Sequence, residues 1–121
     1  MKNTVDLYIP GGQDMLLVAR LATVGYVARA GLTLDAADDI KLAVTEALGV
    51  VGGERLHLRL CVADDAVEIA IEGDGTAVAH EKAEIEVVRC VLESMTDEVV
   101  VEGEDCITAI RMKKRLPGGA R

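Results

Sequence analysis

The chain is nearly without aromatic residues: two tyrosines and no phenylalanine or tryptophan among 121 residues. Its core must therefore be built from Val, Leu, Ile and Ala, and it lacks the stacking platforms that grip single-stranded nucleic acid. Basic residues are outnumbered, 13 Lys and Arg against 21 Asp and Glu, for a net charge of −8. That balance argues against a nucleic-acid or anionic-membrane partner and for a partner that carries basic patches. Cysteine is scarce and odd in number: Cys61, Cys90 and Cys106 are widely spaced, with no CxxC pair. This reads as reduced core thiols in a cytoplasmic protein, not a disulfide frame or a zinc site. No run is long enough to span a bilayer, and Met1–Pro10 lacks the apolar segment of a signal peptide.

Half of the residues are apolar, so the chain is globular, and its length suffices to bury about two-thirds of the unfolded surface in one domain. Thr4–Ile9 alternates Val5, Leu7 and Ile9 against polar neighbours, a short strand closed by Pro10-Gly11-Gly12. Gln13–Ala30 reads as a helix stopped by Gly31. It is apolar on two sides: Met15, Ala19, Ala22 and Tyr26 form one stripe, and Leu17, Leu21, Val24 and Ala28 a second, roughly opposite. Such a helix is either sandwiched in a core or shared with a partner, and the second stripe is expected to form a homodimer interface. Arg55–Ala63 and Ala66–Glu72 alternate as a hairpin; Glu81–Met95 is a third helix; Glu98–Glu102 and Cys106–Met112 make a second hairpin. The expected order is βααββαββ, an α+β two-layer sandwich with helices on one face of a mostly antiparallel sheet, filling residues 1–116. From Lys113 the tail is basic and expected to fray, with 117–121 disordered.

The remaining helix, Asp38–Val51, sets Ile40, Ala43, Val44, Ala47, Leu48 and Val51 on one broad face, with Asp35 and Asp38 as its acidic start. Glu46 falls at the edge of that face, with Leu42 and Val50 one turn either side. A carboxylate among apolar neighbours has a raised pKa suited to proton transfer; alternatively it bends out to water. His57 and His80 have no carboxylate partner in sequence and read as surface residues. Neither an HExxH nor a phosphate-loop signature occurs, and the sequence offers no metal site.

Three stretches together resemble a known family: DDIKLAVTEAL, DDAVEIAIEGDG and VLESMTDEVVVEGEDCITAIRMKKRL. They are similar to the bacterial anti-sigma-factor serine kinases, a branch of the GHKL (histidine-kinase-like, Bergerat-fold) ATPases, and the likeness runs from Val5 to Leu116. The resemblance implies that fold, Mg-ATP as cofactor, Glu46 as catalytic base, and Asp74 with Gly75 as nucleotide contacts. It also implies a sigma factor or a small antagonist protein as partner, and a homodimer.

The family's motifs are altered in this chain. Its glutamate is followed four residues on by an asparagine that holds Mg²⁺; here Glu46 is followed by Val50, which has no oxygen for a hard cation. Its D-x-G-x-G box aligns with Gly73, Gly75 and Ala77, and only a one-residue slip brings Asp74 to the adenine position. Its G-x-G-L phosphate cradle falls on Glu86-Val87-Val88-Arg89. A lid of roughly two dozen residues, which needs length to close over a ligand, is reduced to Thr76–His80, and Glu81, Glu84 and Glu86 crowd the following helix start. The sequence thus favours a regulatory protein-binding module of the anti-sigma, partner-switching type, without a cofactor and without kinase activity. The alternatives are an active ATP-dependent serine kinase and anti-sigma factor using Glu46, and a purely structural role.

Overall fold

A computed structural model of the chain describes residues 3–74 and 79–116. Among these, five strands and three helices follow one another as β1 (Asn3–Pro10), α1 (Gln13–Arg29), α2 (Leu34–Val50), β2 (Arg55–Ala63), β3 (Ala66–Gly73), α3 (Lys82–Met95), β4 (Glu98–Glu102) and β5 (Ala109–Arg115). The strands form one sheet in the order β1-β2-β3-β5-β4. Every neighbouring pair is antiparallel. The class is α+β.

Side chains on a strand alternate between faces, so the register decides the core. Leu58 lies opposite Leu7 and Ile71, and Leu60 opposite Val5 and Ile69. Met112 and Ile110 continue the two rows on β5. This inner face meets Ile40, Ala43, Val44, Ala47 and Leu48 of α2 and Ile85, Val88 and Leu92 of α3. The core is aliphatic, and Tyr26 only borders it. Burial pushes the Tyr26 phenol above its ordinary value, and the Val62 backbone partly offsets this.

On the other face of the sheet, charges of opposite sign stand on neighbouring strands. Arg111 of β5 reaches Glu72 of β3 at 3.9 Å and Glu102 of β4 at 3.5 Å. Lys113 and Arg115 both reach Glu98, at 3.9 and 3.7 Å.

The structure moves several boundaries. Helix α2 begins at Leu34 rather than Asp38, because Thr33 is its N-cap and takes the Ala36 amide on its hydroxyl at 3.1 Å. Its first turn then adds Asp35 to the positive end of the helix dipole. Helix α3 begins one residue later, at Lys82, since Glu81 is itself the cap. Strand β5 starts at Ala109 rather than Cys106. The preceding residues are recruited elsewhere: Ile107 is fully buried and its carbonyl accepts from Gly52 N–H, while the Thr108 carbonyl accepts from Gly73 N–H. Lys113–Arg115, expected to fray, are the end of β5 and pair with Ala66–Glu68. The expected tail 117–121 lies outside the described residues.

On α1 the core side is Ala19, Thr23 and Val27, all buried. Thr23 satisfies its hydroxyl by donating to the Ala19 carbonyl at 2.8 Å. The second stripe is open: Leu17 is 54% exposed, Leu21 62% and Val24 40%. No helix among the described residues is long and apolar enough to cross a membrane.

Candidate functional site

Glu46 stands on α2, whose register is fixed by Ala43, Val44 and Ala47 packing inward. That register turns Glu46 to solvent, beside Leu42, itself 54% exposed. The expected apolar surroundings are therefore missing, because Leu42 lies on the wet face with it. Val50, one turn on, is half-buried at the last turn of the helix.

Asp74 follows β3 directly. Its carboxylate accepts two backbone N–H groups, from Glu54 to Oδ1 and from Arg55 to Oδ2, each at 3.2 Å. It thereby pins the turn that carries the chain from α2 into β2. Gly53 permits that approach: it holds φ +148, and a Cβ there would come within 2.7 Å of Asp74 Oδ1. Gly73 is packed as tightly, since a Cβ would overlap the Gly52 carbonyl oxygen. Gly75, the other expected nucleotide contact, lies outside the described residues.

The start of α3 is occupied by its own side chains. Glu81 accepts from the backbone of the third helical residue, and the Glu84 carboxylate accepts the Glu81 N–H at 3.1 Å: a reciprocal capping box. His80, just before it, bridges three segments. Its Nε2 lies 3.2 Å from the Val50 carbonyl oxygen at the end of α2. Its Nδ1 is 3.8 Å from Glu84, and its backbone N–H donates to the Asp105 carbonyl. The space between the end of α2 and the start of α3 is thus crossed by a histidine ring. Among the described residues, no three His, Cys, Asp or Glu side chains are grouped to hold a metal ion.

A second cluster was hidden in the sequence. Antiparallel pairing sets Asp6 opposite Arg59 and Tyr8 opposite His57. One oxygen of Asp6 then meets both His57 Nε2, at 2.7 Å, and Arg59 Nε, at 2.9 Å. The Arg59 hydrogen bond, and after it that of His57, hold the Asp6 carboxyl below its ordinary value. The Tyr8 ring stacks on His57 with centroids 4.2 Å apart and planes 9° from parallel. So both histidines, expected to stand alone, have carboxylate neighbours. The signal that could have found this cluster is the β1–β2 register, which neither strand carries by itself. Tyr8 and His57 also wall a cleft of about 750 Å³ that runs past Pro10 and Arg55 to Glu72 and Asp74.

No model of a known protein family matches the chain. Among curated proteins it is similar to the serine-protein kinase RsbW of Listeria monocytogenes, with 27% identity over 86 residues, 64% of this chain. The chain spans about half the length of that relative, 54% being covered.

Proposed function

We propose that this protein is a regulatory protein-binding module of the anti-sigma, partner-switching type, one that keeps the two-layer scaffold and no longer carries out nucleotide chemistry. The distant similarity to a serine-protein kinase supports the scaffold. The observation that carries the loss is the helix start beside His80. A phosphate cradle needs bare backbone N–H groups at a helix N-terminus. Here Glu81 and Glu84 take up those donors and add two negative charges. Asp74, the remaining adenine acceptor, holds the Glu54 and Arg55 amides. Val50 offers no side-chain ligand to magnesium. Each lost charge-assisted contact costs about 1.5–3 kcal/mol. Losing several moves a micromolar site past millimolar, since each 1.4 kcal/mol is about tenfold.

Function then rests on protein contacts, with a sigma factor or a small antagonist as the partner class. The test is calorimetric titration with Mg-ATP and Mg-ADP, together with transfer of labelled phosphate to a candidate antagonist. No heat and no transfer are expected. A dissociation constant below about 100 μM, or transfer abolished by Glu46→Ala, would establish instead the active serine kinase with Glu46 as its base. The solvent access of Glu46 is what favours that second reading.

A further inference from the structure

Of the two aromatic side chains in the chain, Tyr26 borders the core and Tyr8 stands 73% exposed on the sheet. The Tyr8 ring is nevertheless held in place: it stacks on His57, and His57 Nε2 lies 2.7 Å from the Asp6 carboxylate. We infer that the cleft walled by these two rings binds an arginine side chain of a partner protein. This contact rests on the protein-binding reading proposed above and adds the chemistry by which a partner is recognised.

Acidic residues gather at this end of the sheet. Cross-strand register sets Tyr8, His57 and Glu72 in one row on the face away from the helices. The turn before β2 adds Glu54 and the end of β3 adds Asp74, and all three carboxylates line the cleft. The β4–β5 connection brings Glu104 and Asp105, both exposed, to the same end, where the Gly73 N–H donates to the Thr108 carbonyl. Among the described residues that line the cleft, Arg55 is the one fixed cation. Glu72 is held only loosely by Arg111, at 3.9 Å with both side chains half exposed, so it can turn to a ligand. Asp74 keeps its charge while it accepts the Glu54 and Arg55 amides, and contributes to the field.

Arginine fits this wall better than lysine. A guanidinium is planar and weakly hydrated, and its fork of donors reaches two carboxylate oxygens at once; an ammonium is compact and strongly hydrated. The rings are fixed before any ligand arrives, so little ordering opposes binding. At about 750 Å³ the cleft has the size that holds a small ligand and exceeds a single side chain, so the flanking backbone of a partner segment enters with it. The net charge of −8 also draws a basic partner from a distance.

The test is NMR titration of the isotope-labelled full chain with the peptide acetyl-Gly-Arg-Gly-amide. It follows the amides of Tyr8, His57 and Glu72 and the Tyr8 and His57 rings, which are readily assigned in a chain with two tyrosines and two histidines. Shifts confined to the cleft and a dissociation constant of about 1–5 mM are expected at low salt. That constant should rise at least about threefold between roughly 20 and 300 mM salt. The lysine peptide should bind about threefold more weakly, and the citrulline peptide, which keeps the plane and loses the charge, at least about tenfold. Tyr8→Leu and Glu72→Gln should each weaken arginine binding about threefold. Glu68→Gln, on the same face but outside the cleft, should leave it unchanged. All three positions are exposed, and the amide spectrum of each variant checks its fold. No shift at about 20 mM peptide, shifts centred on another surface, or equal binding of arginine and citrulline overturns the inference. Tighter binding of lysine overturns the choice of arginine. Mg-ATP calorimetry decides the protein-binding reading separately, so a failure of one is not mistaken for a failure of the other.

Discussion

Lys114 Nζ lies 3.2 Å from Asp39 Oδ2, joining two residues 75 positions apart. The same ammonium donates to the Met95 carbonyl at 3.0 Å. One side chain from the end of β5 therefore holds the first turns of α2 and the last turn of α3. It does so on the inner side of the sheet, on the row of Val67, with 18% of its side chain exposed. A cation at a helix C-terminus also answers the negative end of the dipole.

Lys114→Met should therefore destabilise the fold by about 1–2 kcal/mol, less than a fully buried charged hydrogen bond because Asp39 is partly solvated. Asp39→Ala should cost less than Lys114→Met, since Lys114 keeps the Met95 carbonyl. Urea unfolding of the three proteins gives the ranking. Equal midpoints for Lys114→Met and the natural chain would remove the tether from the account.

The strands were legible because period-two alternation survives in Arg55–Ala63 and Ala66–Glu72, and the buried face of the central helix because Ile40, Ala43, Val44 and Ala47 recur at helical spacing. What was not legible depends on partners remote in sequence. The central helix starts at Leu34, ahead of Asp38, because the Thr33 hydroxyl reaches the Ala36 amide, a cap that composition leaves open. Cys106–Thr108 read as strand, yet Ile107 is needed to fill the core and its neighbours bond to Gly52 and Gly73. Helix geometry alone sets Glu46 at an apolar edge; tertiary packing leaves Leu42 in solvent and Glu46 with it. Lys114 reads in sequence as part of a basic tail for the same reason, as its two anchors, Asp39 and Met95, are nowhere near it in the chain.

Asp6 provides a pH test. Its folded pKa is depressed below the ordinary 3.8, first by the Arg59 hydrogen bond and then by His57. A depressed carboxylate contributes stability that is present above the unfolded pKa and lost as pH falls through the folded one. Any loss from this group is thus confined to pH below about 4. Carbon-detected NMR titration should find the Asp6 midpoint below 3.8. Arg59→Gln should raise that midpoint more than His57→Gln. The reverse ranking would make the histidine contact the stronger one.

Gly73→Ala tests the packing beneath the candidate site. The added Cβ would overlap the Gly52 carbonyl oxygen and press on Val51. The obstacle is backbone, which cannot swing aside as a flexible side chain would, so a loss of about 2–4 kcal/mol is expected. Gly25→Ala is the control: a Cβ there meets nothing within 4 Å, and alanine in a helix interior gains up to about 1 kcal/mol over glycine. Opposite shifts in thermal midpoint are the expected result, and equal shifts would contradict the packing.

Asp74 separates a structural carboxylate from a nucleotide contact, because the two roles move different measurements. As a clamp on the Glu54 and Arg55 amides, it should be missed in the folded chain whether or not any ligand is added. Both amides are at exposed positions, so water replaces part of what is lost, and Asp74→Ala should cost about 1–2 kcal/mol. Asp74→Asn keeps one carbonyl oxygen as acceptor and should cost less than half of that. If Asp74 instead took the adenine amino group, Asp74→Ala would leave urea unfolding of the unliganded chain unchanged. Mg-ATP would then raise the midpoint of the natural protein alone, because a ligand that binds only the native state stabilises it by mass action. The expected pattern is a graded loss of stability, Ala greater than Asn, identical with and without millimolar Mg-ATP. A midpoint that rises with nucleotide in the natural chain and not in Asp74→Ala would return Asp74 to the adenine position and with it the kinase reading.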